Sequence, residues 1–178
     1  MEEAVDQAAF RGALSRFASG VTVVSTVHDG VDHAMTASAF TSVSLIPPLV
    51  LVCSNKGSRF HEAVSQTGVW AVSVLAEAGR EASAWFAHRG RPLESQFDNI
   101  AHHRSPGGLA LLDDGLAWLE CTTEVAHDSG DHVIIVGRES AGSTPELYAS
   151  ADATVVIPMV AGLRSINVAL AAALLLGE

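Results

Sequence analysis

Apolar residues recur at helical spacing only near the start of the chain. Phe10, Ala13, Leu14 and Phe17 fall on one face, with Asp6 placed to cap the helix and Gly20 just past its end. Beyond that point the period shortens. Val21 to Val27 is rich in β-branched residues and runs into a His28-Asp29-Gly30 turn. Ala34 to Ser44 is a Thr/Ser/Ala-rich stretch; Pro47-Pro48 and a continuous apolar strand, Leu49 to Cys53, follow it. Asn55-Lys56-Gly57 predicts a turn, and Ser58 predicts the cap of a short helix reaching about Gln66. Val69 to Leu75 reads as a buried strand, and Glu77 to His88 as a helix with Ala84, Trp85 and Ala87 on its apolar face. Arg89 to Gly108 is polar and irregular, a surface loop. Leu116 to Val125 and His132 to Arg138 then pair as a hairpin around Asp128-Ser129-Gly130.

Many strands, few helices and turns at short intervals predict a mainly β fold, a barrel with peripheral helices and not a regular βαβ alternation. After Arg138 the texture changes. Glu146 to Ala151 reads as a short helix, Thr154 to Ile157 as a strand ended by Pro158, and Ser165 to Leu176 as an alanine-rich helix. That is an α/β ending on a barrel beginning.

Charge and cysteine content narrow the partners. Ten basic against 20 acidic residues give a net charge of -10, a surface that repels nucleic acid and anionic membranes. A local basic pocket for a single phosphate is still compatible with it. Cys53 and Cys121 lie in apolar runs with no spacing for zinc, so they read as buried, reduced side chains in the cytoplasm, and no metal site is expected. The opening MEEAVDQ is acidic where a signal peptide would be basic. The longest apolar run, Val168 to Leu176, is far short of the roughly 20 residues that span a bilayer.

Three segments carry candidate chemistry. In Met35-Thr36-Ala37-Ser38-Ala39-Phe40-Thr41-Ser42, small side chains let a flat ring approach the backbone, and the hydroxyls supply donors. A flavin needs both, although an ordinary strand of small residues has the same composition. Ser54-Asn55-Lys56-Gly57-Ser58-Arg59 follows a buried strand and opens a helix, so free N–H groups, the helix dipole and two cations converge on whatever lies there. A plain turn and N-cap is the bland reading. Gly130-Asp131-His132 closes a turn, where a histidine is either solvated or positioned to meet a nicotinamide carboxamide. The chain holds neither G-x-S-x-G nor G-x-G-x-x-G, so neither a nucleophile elbow nor a Rossmann pocket is expected.

Taken in order, these segments resemble the flavin reductase family with the FMN-binding split-barrel fold. The matching stretches are Phe17 to Val24, His33 to Ser44, Pro47 to Val52, Trp70 to Leu75, Trp85-Phe86-Ala87, Leu116 to Cys121 and Gly130-Asp131-His132. The resemblance spans about residues 8 to 138, which marks 1–138 as the barrel domain. It implies an NAD(P)H-dependent FMN reductase, with FAD as the other flavin open and NADH or NADPH as co-substrate. Thr36, Ala37, Ser38 and Ala39 would lie along the flavin ring; Ser54, Asn55, Lys56, Ser58 and Arg59 would hold the phosphate. Phe86, Ala87 and Arg89 would close over the cofactor, and His132 would receive the nicotinamide. The family also implies a homodimer that supplies reduced flavin to a flavin-dependent monooxygenase.

The last stretch departs from that pattern. Val136 to Gly142, Val156-Ile157-Pro158-Met159 and Leu163 to Ala169 resemble the C-terminal motifs of SPOUT-type RNA 2'-O-methyltransferases, so 139–178 reads as an extension joined near Val136. Two alternatives follow: a non-catalytic flavin-binding module, or a fragment of an S-adenosylmethionine-dependent RNA methyltransferase. The second lacks the preceding parallel sheet through which a knotted tail would thread.

Overall fold

The structure, a computed structural model, describes residues 5–140. The elements expected after Arg138 and the packing of the tail lie outside the described residues. Helix α1 (Gln7–Leu14) starts as predicted, with the Asp6 carboxylate accepting from the amides of Ala8 at 3.1 Å and Ala9 at 3.2 Å. None of its residues is buried, and Phe10, Leu14 and Phe17 are exposed.

Strands β1 (Thr22–His28) and β2 (Val31–Ala37) form the expected hairpin. Its turn places Asp29 at φ 51° and Gly30 at φ 76°, the left-handed pair that a two-residue loop requires. The stretch Ala34 to Ser44 is two strands and not one: β2 ends at Ala37, and β3 (Phe40–Leu45) begins after Ser38 and Ala39. Next come β4 (Pro48–Asn55), α2 (Arg59–Thr67) and β5 (Val69–Leu75). The helix expected over Glu77 to His88 divides into a single 3-10 turn, Glu77–Gly79, and α3 (Arg80–Ala87). Two long strands, β8 (Gly115–Ser129) and β9 (His132–Glu139), complete the main sheet.

Arg89 to Gly108 is more ordered than its polarity suggests. Within and just after it, β6 (His102–Arg104) pairs with β7 (Ala110–Leu112). Arg91, Gln96 and Phe97 are buried, and the Trp85 indole donates to the Gln96 carbonyl at 2.8 Å. Polar side chains fold this segment down because strand β2 offers them unpaired backbone carbonyls.

The seven-stranded sheet runs β2-β1-β5-β8-β9-β4-β3, every neighbour antiparallel. Its two edges are consecutive strands. Ala37 and Phe40 are three residues apart, so their Cα atoms lie within about 11 Å. The sheet must therefore curl until its edges meet, yet β2 and β3 do not pair. This is a barrel split along one seam. Inside it Val24, Val52, Phe60, Trp70, Val72, Cys121 and Ile135 form the main core, with α2 closing one end through Phe60, Ala63 and Val64. A second core, Val23, Ala34, Phe86, Phe97 and Leu112, lies on the opposite face of the β1–β2 hairpin. Both cysteines are free, and burial, then Glu139 and Glu120, push the Cys121 thiol up to about 12. Among the described residues no helix is long and apolar enough to cross a membrane.

Packing around Trp70 leaves no slack. A Cβ added at Gly137 would stand 2.5 Å from Trp70 Cζ2 and 3.0 Å from Cys121 Cβ. Gly137→Ala should therefore lower stability by about 1–3 kcal/mol through overpacking, read as a fall in the urea unfolding midpoint.

Candidate functional site

The seam gathers most of the residues singled out from sequence. The Cys53 amide donates to the Ala39 carbonyl at 3.0 Å, which ties the β2–β3 link to the end of β4. Met35 Sδ lies 3.7 Å from Ser54 Oγ, and Ser54 Oγ lies 3.2 Å from Ser58 Oγ. Ser38 and Ala39, the two residues of the link, are exposed. Strand β2, through Met35, is therefore in contact with the segment that leads into α2.

Ser58 caps α2 as expected, accepting from the His61 amide at 3.1 Å. Asn55 Oδ1 accepts from the Gly57 amide at 3.0 Å and shapes the turn. The Thr36 hydroxyl donates to the Ser83 carbonyl on α3 at 2.6 Å, so this hydroxyl braces α3 and is already committed.

Two of the expected contributions are placed elsewhere. The Lys56 ammonium sits 3.1 Å from Asp128 Oδ1 and is neutralised there, while its backbone amide donates to the Asp131 carbonyl. Phe86 is 1% exposed in the second core, so its ring packs against Val23, Ala34 and Phe97 and what it offers the site is its carbonyl. Ala87 and Arg89 leave the end of α3 exposed at the surface.

Arg91 is a residue that sequence reasoning did not single out. It lies 8% exposed and donates to the carbonyls of Ala34, Phe86 and His88, the last two at 2.9 Å, and to Gln96 Oε1 at 3.2 Å. Its guanidinium carbon stands 5.4 Å from the Phe86 ring centroid. The Arg59 guanidinium in turn donates to the Arg91 carbonyl at 2.9 Å. Among the described residues neither Arg59 nor Arg91 has a carboxylate at ion-pair distance; the ion-paired arginines are Arg104, with Asp32, and Arg138, with Glu124. Two neighbouring guanidiniums thus keep their charge in a chain of net charge -10.

His132 faces the same turn. It pairs with Asn55 across β4 and β9, and its Nδ1 lies 2.8 Å from Asp131 Oδ1. The hydrogen bond from His132, followed by its charge, lowers the Asp131 pKa. With Nδ1–H donating to the carboxylate, Nε2 is the free nitrogen. A separate open cleft of about 400 Å³, lined by His28, His33, Glu62, Gln66 and Leu93, meets this site only through Arg59.

The family model described as "Flavin reductase like domain" matches residues 14–155, well over half of the chain. The chain belongs to the flavin reductase-like family. It is an oxidoreductase that carries hydride from a reduced nicotinamide to flavin. A probable flavin reductase of Rhizobium meliloti is 43% identical over 141 residues, 78% of this chain but only 44% of the relative. The reductase subunit HsaB of a flavin-dependent monooxygenase from Rhodococcus jostii is 39% identical over 138 residues, 78% of this chain and 69% of that one. Among solved structures, the Streptomyces globisporus NADH:FAD oxidoreductase SgcE6, in complex with NAD and FAD fragments, superposes with a TM-score of 0.72 at 35% identity, covering 80% of this chain and 86% of the other. The mainly β, split-barrel reading of this flavin reductase holds. The family match continues past Arg138, and the comparisons lend no support to a methyltransferase resemblance over 136–178.

The Ser58 side chain satisfies an amide at the start of α2. Ser58→Ala should cost about 1 kcal/mol of stability through the lost cap, while Ser58→Asp keeps the cap and stays within a few tenths of the parent. Chemical denaturation of the two variants side by side checks this.

Proposed function

We propose that this flavin reductase holds FMN along the β2–β3 seam, takes hydride from NADH, and supplies reduced flavin to a flavin-dependent monooxygenase. The observation that carries the reading is Arg59, free of any carboxylate at ion-pair distance among the described residues, at the start of a helix whose capping Ser58 touches Ser54 and, through it, Met35 of β2. Flavin fits this arrangement: the phosphate matches the cationic helix start, and the ring matches the open backbone at Ser38 and Ala39. FAD carries a phosphate at the same position, and the similarity to SgcE6, an NADH:FAD oxidoreductase, supports it as a second acceptable flavin.

Bound flavin supplies the two-electron acceptor. The chain's own residues bind and orient. Thr36, Ala37, Ser38 and Ala39 present backbone to the ring, with Thr36 pinned to Ser83 so that β2 keeps its place. Ser54, Asn55, Ser58 and Arg59 receive the phosphate through hydroxyl, amide and guanidinium donors. Lys56 acts on this seat from a distance, because Asp128 shares its charge. Ala87 and Arg89 border the seat at the exit of α3, with Phe86 holding that exit in the core. Asp131 fixes the His132 ring, whose free Nε2 is suited to the nicotinamide carboxamide.

Three further features support the setting. Phe10, Leu14 and Phe17 on and after α1, with Val43, Leu45 and Ile46 on and after β3, form exposed apolar surface that a homodimer would cover. The HsaB name supports a monooxygenase as recipient of the product. The two free thiols and the nicotinamide reductant support the cytoplasm.

The purified protein should show a flavin visible spectrum on addition of FMN and oxidise NADH only when flavin is present; lack of both would sink the proposal. Arg59→Gln should weaken FMN binding by about 1–3 kcal/mol, and Lys56→Gln by less, in a fluorescence titration. Steady-state kinetics of His132→Ala should show slower NADH oxidation with flavin affinity nearly unchanged, and the reverse pattern would move the histidine to the flavin side.

A further inference from the structure

Three separate pieces of chain, β2, the end of α3 and the start of α2, all meet at one residue. Arg91 follows α3 by four residues and turns back beneath it. Its guanidinium donates to the Ala34 carbonyl on the free edge of β2 and to the Phe86 and His88 carbonyls at the end of α3. Its own carbonyl accepts from Arg59, the first residue of α2.

We propose that Arg91 is a positioning residue for flavin, fastening the ring-bearing strand β2 to the end of α3 while its carbonyl aims the Arg59 guanidinium at the phosphate. This rests on the reading that Thr36 to Ala39 and Ser54 to Arg59 hold the flavin.

Three physical arguments carry the assignment. First, only arginine fits. Three carbonyls and an amide oxygen surround the group, and a guanidinium offers five donors in a rigid fork where a lysine ammonium offers three from a single point. Secondly, the group stays charged. Burial, and then the neighbouring Arg59, bring its pKa down to about 10, which leaves it protonated at neutral pH. A buried cation held by neutral oxygens beside another cation favours an anion close by, and the phosphate seat is the place for it. Thirdly, the same strand has a comparison built in. Arg104 also anchors β2, through a bidentate pair with Asp32 at 2.6 and 2.7 Å, but touches none of the three seat segments apart from that strand. If anchoring β2 were all that mattered, the two arginines would be equivalent.

The test uses the full chain and FMN itself, with fluorescence titration for the dissociation constant and hydrogen exchange on the flavin-free protein. Arg91→Lys should raise the FMN dissociation constant about tenfold or more and raise the KM for flavin in step, while kcat at saturating flavin and the KM for NADH change little. Exchange should quicken at Ala34 to Ala37 and at Phe86 to Arg91 together. Arg91→Ala should bind FMN more weakly still, and millimolar guanidinium should restore part of the affinity by filling the vacated space. Arg104→Gln should leave the FMN dissociation constant within about twofold while loosening Val31 to Ala34. A merely structural Arg91 would lower the melting temperature yet leave FMN affinity of the folded protein unchanged, and that result overturns the proposal. So would equal losses of affinity in the Arg91→Lys and Arg104→Gln proteins. Failure of the parent chain to bind FMN, or an unchanged affinity in Arg59→Gln, would instead remove the flavin seat itself and the proposal with it. Should Arg91→Ala fail to fold, the Arg91→Lys comparison decides alone.

Discussion

A two-residue link decides the architecture. Ser38 and Ala39 join strands that stand at opposite ends of a seven-stranded sheet, and a link so short forces the sheet to roll up. Because β2 and β3 then meet without pairing, the barrel keeps one open seam. Everything assigned to flavin borders that seam. The exposed link lies there, the end of β4 is tied to it through Ala39 and Cys53, and α3 is braced against β2 by Thr36. A fully paired barrel would have used these backbone groups internally, leaving nothing for a ligand.

The electrostatics follow the same economy. Among the described residues three cations are paired with carboxylates on the surface: Lys56 with Asp128, Arg104 with Asp32, Arg138 with Glu124. Arg59 and Arg91 are instead bonded to carbonyl oxygens, which orient them without cancelling their charge. A local positive field thus survives inside a negative molecule. That combination admits one phosphate while the remaining surface turns away polyanions.

Much of this was legible in the sequence, and the reasons for the gaps are physical. Asp6 and Ser58 announced their helices because capping is a local interaction between a side chain and amides two or three residues on. Val69 to Leu75 was readable to the residue because a buried strand between turn signals has few alternatives. The break at Ser38-Ala39 was not visible, since Ala34 to Ser44 has uniform composition and its division depends on which strands lie beside it. Lys56 looked like part of the anion seat until Asp128, 72 positions away, took its charge. The family resemblance implied Phe86 as part of a lid, whereas the second core that claims it is built from β1, β2 and the segment around Phe97. Arg91 gave almost no signal. Its partners are carbonyls, which every residue has, so nothing in sequence distinguishes an arginine that will be buried from one in a polar loop.

The free edge of β2 has a bearing on how the protein behaves in concentrated solution. An open sheet edge is a template on which a second polypeptide adds a strand, the first step of ordered aggregation. Here the Ala34 carbonyl is occupied by Arg91 and the Asp32 carbonyl by Gln96, while Arg104 places a charge beside the same strand. The side chains that shape the seam therefore also deny that edge to other chains. Loosening them for wider ligand access would trade away colloidal stability along with affinity.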